Sequence, residues 1–103
     1  MCSYNQEIEN IKVQLINKFH PMDIILFGSC AKRRVTKHSD IDICVIVDTD
    51  DKRQTVRNIL LGIEHEMDMD VVVYTPDEWQ KYKDNAATFA GVINKTGVSL
   101  IGR

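Results

Sequence analysis

The feature that most restricts how this chain can fold is a pair of apolar runs separated by a polar, basic interval. Ile24-Ile25-Leu26-Phe27 is broken abruptly at Gly28-Ser29, and a second run, Ile41 to Val47, opens on two carboxylates, Asp40 and Asp42. Short apolar runs bounded by turn residues read as strands, so the pattern is strand, tight turn, short helix, strand. Side chains alternate across a strand. Asp40 and Asp42 therefore share one face with Cys44 and Ile46, while Ile41, Ile43, Val45 and Val47 line the other. Two acids side by side repel each other unless a cation sits between them. Gly28 lets the backbone pass close to a ligand, and Ser29 offers a hydroxyl and an amide at a helix start, where phosphate oxygens bind well. Either feature alone has an ordinary explanation, since Asp is common in turns and caps. Together, a phosphate cradle facing paired carboxylates is the apparatus of nucleotidyl transfer.

The rest of the chain supplies alternating helices and strands. Ile8, Ile11, Leu15, Ile16 and Phe19 recur at helical spacing over residues 5–19, with Glu7, Lys12, Gln14 and Lys18 on other sides. His20-Pro21 ends that helix, with His20 as a capping or surface residue. The first strand covers 23–27 and the second 39–47. After a polar loop, Thr49 or Asp50 can cap a helix running to about Glu66, with Val56, Ile59, Leu60 and Ile63 inward and His65 on the surface. The third strand, roughly 67–74, again begins with acids on one face, Asp68 and Asp70. Thr75-Pro76-Asp77-Glu78 is a capping box with proline at the first helical position, opening a short helix that contains Trp79 and Tyr82. A further helix over about 86–95 stops at Gly97, and residues 98–101 form a short strand or an extended tail. Strands separated by helices predict an α/β (α+β) domain, a two-layer mixed sheet with helices.

With 103 residues the chain makes one domain, 1–103, with a single core. A formal net charge of −2 provides no global field to recruit nucleic acid, which argues against a free-standing polymerase. The cations Lys32, Arg33, Arg34, Lys37 and His38 are nonetheless clustered after the Gly-Ser turn. Lys32 and Arg33, within about a helical turn of the cradle, are candidates for triphosphate contacts. Arg34, Lys37 and His38 read equally well as a solvated loop. Cys2, Cys30 and Cys44 form no C-x-x-C pair and no even disulfide set, which fits free thiols in a reducing compartment. No apolar stretch is long enough to span a bilayer and the polar N-terminus does not read as a signal peptide, so a cytoplasmic location is expected. Neither G-x-x-x-x-G-K-[ST] nor G-x-G-x-x-G occurs, which removes P-loop and Rossmann readings.

Gly28-Ser29 followed by Ser39-Asp40-Ile41-Asp42 resembles the G-S…[S]-D-x-D signature of the DNA polymerase β-like nucleotidyltransferase superfamily, and at this size the minimal nucleotidyltransferase (MNT) group within it. Ala31 fits the family's G-S-x-A-x-G, whereas Arg33 stands where the second glycine is usual. The resemblance runs from the first strand to a carboxylate near residue 70. It implies the polymerase β-like fold, with a third acid on the strand beside the D-x-D strand. That acid is placed at Asp70, immediately before Val71-Val72-Val73, with Asp68 as the fallback. It also implies Mg²⁺ and a nucleoside triphosphate, most simply ATP. Asp40 and Asp42 would then hold the metal bound to the triphosphate, and Asp42 and Asp70 a second one, with Asp70 also available as a general base. Gly28, Ser29, Lys32 and Arg33 would bind the nucleotide.

The acceptor is a further expectation. Larger relatives devote another domain to holding it, and none is legible here, so a second chain is expected to form the other wall of the cleft. MNT proteins are commonly paired with a HEPN-domain protein as the antitoxin half of a toxin–antitoxin pair, transferring AMP to a partner hydroxyl, typically tyrosine. The resemblance therefore implies a HEPN-domain partner. The alternatives are a nucleotidyltransferase acting on a small molecule such as an aminoglycoside, a non-catalytic nucleotide-binding regulatory subunit, which Arg33 favours, and a purely structural subunit. Homo-oligomerisation stays open.

Overall fold

The structure, a computed structural model, describes residues 4–28 and 41–101. In chain order the elements are helix α1 (Tyr4–Phe19), strands β1 (Asp23–Phe27) and β2 (Ile41–Ile46), helix α2 (Lys52–Gly62), strand β3 (Met69–Tyr74), helices α3 (Pro76–Tyr82) and α4 (Phe89–Thr96), and strand β4 (Val98–Ser99). The strands form one mixed sheet in the order β3-β2-β1-β4. β1 runs antiparallel to both its neighbours, and β2 and β3 are parallel. A parallel pair needs a crossover between its strands, and α2 supplies it.

Alternation along the strands sorts the core into two clusters. Ile24, Leu26, Ile41, Ile43, Val45 and Val47 face α1 and α2, meeting Ile11, Leu15, Ile59 and Ile63 in the larger one. Ile25, Cys44 and Ile46 face the opposite way, onto Trp79 of α3 and Ala90 and Ile93 of α4. Each isoleucine buried here contributes about 1.5–3 kcal/mol relative to an exposed one. The expected division of β2 into a Cys44/Ile46 face and an Ile43/Val45 face is the division seen. The mixed sheet with helices expected from the pattern is likewise present.

Several ends differ from their sequence expectation, each for a tertiary reason. Helix α2 stops at Gly62, short of Glu66, and its N-cap is Asp51 rather than Thr49 or Asp50; the Asp51 side chain accepts from the Gln54 amide at 3.1 Å. Beyond Gly62 the backbone is captured by α1. Gln14 accepts from the Glu64 N–H at 2.7 Å and donates to the Glu64 carbonyl at 2.8 Å, and Lys18 donates to the Gly62 carbonyl at 2.6 Å. These bonds satisfy backbone groups that continued helix would otherwise have paired. Leu60, expected inward, is exposed instead.

Glu7 is a second correction. Grouped above with the polar residues of α1, it is 1% exposed, on the same stripe as Ile11 and Leu15. Its carboxylate accepts from the backbone N–H groups of Glu66 and Met67, the latter at 2.8 Å. A buried carboxylate is tolerable when backbone donors replace its water. With those two amides committed to Glu7, β3 begins at Met69 rather than Met67.

Other local signals are realised. His20 takes a left-handed conformation (φ +52°) and donates its N–H to the Ile16 carbonyl, ending α1 as a cap. Thr75 and Glu78 form the reciprocal capping box of α3. Helix α4 starts at Phe89 rather than near 86, because the Thr88 side chain caps it by accepting from the Gly91 amide at 3.0 Å. Gly97 ends α4, and the following residues take the strand option as β4 against β1.

Candidate active site

The registers of three strands set one row of side chains across the sheet. Antiparallel pairing places Phe27 of β1 opposite Asp42 of β2, and parallel pairing places Asp42 opposite Asp70 of β3. Neighbouring strands lie about 4.8 Å apart, so the two acids are adjacent on the face shared with Cys44. Asp42 is half-buried and Asp70 is exposed. Asp68 lies just before β3, exposed, and contributes its carbonyl to the Ile41 N–H at 2.8 Å. The register therefore makes Asp70, not Asp68, the cross-strand neighbour of Asp42.

Gly28 closes the end of this row. Its φ of +73° is in the left-handed region, where a side chain is strained, and a β-carbon built on it would fall on the Asp42 carboxylate, with Cγ at 3.3 Å. Glycine here is thus required twice, once for the turn and once for the room that the Asp42 oxygen occupies. The sequence suggested close approach of a ligand at this turn. The group found against Gly28 is the acid of the neighbouring strand.

The rest of the expected site, Ser29, Lys32, Arg33 and Asp40, lies outside the described residues, as do Cys30, Arg34, Lys37 and His38. Among the described residues no three of His, Cys, Asp or Glu gather around a common metal position. Of the three expected metal-binding acids, Asp42 and Asp70 are the two that the structure describes.

The chemistry of these donors fits a hard divalent cation. Carboxylate oxygens on adjacent strands suit a hard cation such as Mg²⁺. Cys44, two residues along the Asp42 face, is fully buried, and its thiol is pushed up to about 12, first by burial and then by the Asp23 carboxylate. It therefore stays protonated at neutral pH and offers no thiolate. His65 is exposed, with Nδ1 at 2.7 Å from the Met67 carbonyl. His20 ends α1, at the far side of β1 from Phe27.

Phe89, the first residue of α4, lies beside the row. Its ring meets that of Phe27 edge to face, with centroids 5.8 Å apart. Sequence reasoning did not single out either phenylalanine. Phe27 was legible only as the last apolar residue of its strand, and Phe89 only as part of a helix.

A family model described as "Polymerase beta, Nucleotidyltransferase" matches residues 9–102. No curated protein matches the chain. The match takes in the four described strands, the Gly28 turn and both acids of the row, and the chain belongs to the polymerase beta nucleotidyltransferase family.

Proposed function

We propose that this chain is a Mg²⁺-dependent nucleotidyltransferase that moves AMP from ATP to a hydroxyl of a partner protein. The observation that carries the reading is the register of Asp42 with Asp70, closed at one end by a glycine turn where an added β-carbon would meet the Asp42 carboxylate. Asp42, with Asp40 and Asp70, would hold the metal. A divalent cation there would supply positive charge for the phosphate oxygens and would lower the pKa of the acceptor hydroxyl.

The residues of the chain position and deprotonate. Asp42 sits centrally in the row, between the Gly28 turn and Asp70. The Gly28-Ser29 turn, with Lys32 and Arg33, is assigned to the triphosphate. Asp70, exposed on edge strand β3, is open to the acceptor and takes its hydroxyl proton. The hydroxyl oxygen bonds to the α-phosphorus as the bond from that phosphorus to the bridging oxygen breaks. Pyrophosphate leaves with the electron pair.

A protein acceptor is favoured by where Asp70 lies. β3 is an edge strand, and all four helices of the described fold are spent on covering the sheet. A second chain approaching that edge meets the acids directly. The proposed partner is a HEPN-domain protein, with this chain as the antitoxin of the pair, located in the cytoplasm. Co-expression with the neighbouring reading frame, followed by mass spectrometry of both chains, tests this. An AMP-sized adduct on the partner, absent with Asp42→Asn, is the expected result; an unmodified partner that does not associate would overturn the assignment of the acceptor.

A further inference from the structure

The aromatic pair beside the acid row has a use that the metal–phosphate reading leaves unassigned. Phe89 and Ile93 are one turn apart on α4 and point to the same side of the helix. Ile93 is fully buried against the sheet, yet Phe89 is 52% exposed. The sheet beneath explains the contrast. Ile93 packs with Ile25, Cys44 and Ile46, whereas Phe89 meets Phe27, the β1 member of the row that continues across the sheet as Asp42 and Asp70. An apolar ring thus stands at the β1 end of that row, braced on one side by the edge-to-face contact with Phe27 and half exposed. The acceptor side of the row is its far end, at Asp70. Phe27 and Phe89 lie on the opposite side of Asp42, where the remainder of the donor must extend.

We propose that Phe89, braced by Phe27, is the stacking wall for the nucleobase of the donor nucleotide. This rests on the reading of Asp42 and Asp70 as the metal and phosphate end of the same site. Stacking on a phenyl ring is favourable for any base, because every base presents a π face. Phe89 therefore contributes affinity for a nucleoside over a bare polyphosphate, and little choice among bases.

The test compares binding of Mg·ATP and Mg·tripolyphosphate to the full chain by calorimetry. Wild type binds Mg·ATP at least about tenfold more tightly than Mg·tripolyphosphate, the effect of one base–aromatic stack. Phe89→Ala weakens Mg·ATP by about tenfold and leaves Mg·tripolyphosphate unchanged. Phe89→Trp retains nucleotide affinity, and nucleotide quenches the fluorescence of the added indole, read as a difference against wild type because Trp79 is buried. Unchanged Mg·ATP affinity in Phe89→Ala overturns the inference, even if transfer slows, because the ring would then serve the acceptor. Equal weakening of both ligands also overturns it, by placing the effect on the phosphates. Equal affinity of wild type for the two ligands removes the base subsite while leaving the metal–phosphate reading intact. Failure of wild type to bind either ligand overturns both.

Discussion

Gly28→Ala separates the cost to the fold from the cost to the site. At φ +73° an alanine is strained by roughly 1–2 kcal/mol, the penalty of the left-handed conformation for an L-residue. The steric part is of a different kind. The atoms met by the new methyl are Asp42 Oδ2, then Cγ at 3.3 Å and Cβ at 3.5 Å, all of one side chain. A carboxylate can rotate away, so the overlap is relieved by displacing Asp42 on the order of 1 Å rather than by unfolding the turn. Unfolding of a domain this size shifts by about 4–8 °C per kcal/mol, so Tm should fall by roughly 5–15 °C. A 1 Å misplacement in a reacting constellation can cost about a hundredfold in rate. Pyrophosphate release in the presence of the acceptor and a thermal melt of the same preparation give the two numbers. Gly62→Ala is the control, since nothing lies within 4 Å of a β-carbon there, and it should leave the rate unchanged. If Gly28→Ala lowered Tm as expected but kept its rate within about twofold, the carboxylate displaced by the methyl would not be catalytic, and the reasoning from the turn to the acid row would be wrong.

Further expectations follow from the same contacts. Asp70→Asn should spare Mg·ATP affinity more than transfer, because it acts on the acceptor side; titration against single-turnover rate separates the two, and an unchanged rate would remove Asp70 from the chemistry. Glu7→Ala leaves the Glu66 and Met67 amides without their buried acceptor, which at about 1–3 kcal/mol per group should cost about 3 kcal/mol in a urea melt. Glu7→Gln, which keeps an acceptor oxygen, should cost less. The Glu78 carboxyl is held below its usual range by the hydrogen bond from Lys52, then by the Thr75 backbone. Because the folded pKa is depressed, this contribution is present above the unfolded pKa and is lost as pH falls through the lower folded value. Glu78 is partly exposed, so Lys52→Met should cost under about 1 kcal/mol at pH 7 and flatten the acid limb of the stability profile.

The sequence by itself determined the elements whose signals are local. Four apolar residues cut by Gly28, alternation along 41–47, the helical stripe of Ile8, Ile11 and Leu15, and the Thr75–Glu78 capping box each constrain backbone within a few residues. Short-range sterics and hydrogen bonding act directly on them. The Asp42 face was legible for the same reason, since alternation is a property of one strand. The pairing of Asp42 with Asp70 was expected only from the family resemblance and not from any local signal, because it depends on the register between two strands separated by a crossover, and register is fixed by the fit of both buried faces together. Asp70 was preferred to Asp68 through the family resemblance, and which of the two stands opposite Asp42 is a matter of the alignment of β2 with β3. The early end of α2 and the burial of Glu7 have the same origin. Gln14, Lys18 and Glu7 on α1 take up backbone groups about 44–60 residues away in the chain, so neither helix carried the information alone. Phe89 illustrates it most simply: its place in a helix is a local fact, but its contact with Phe27, at the β1 end of the acid row, follows from how α4 packs on the sheet.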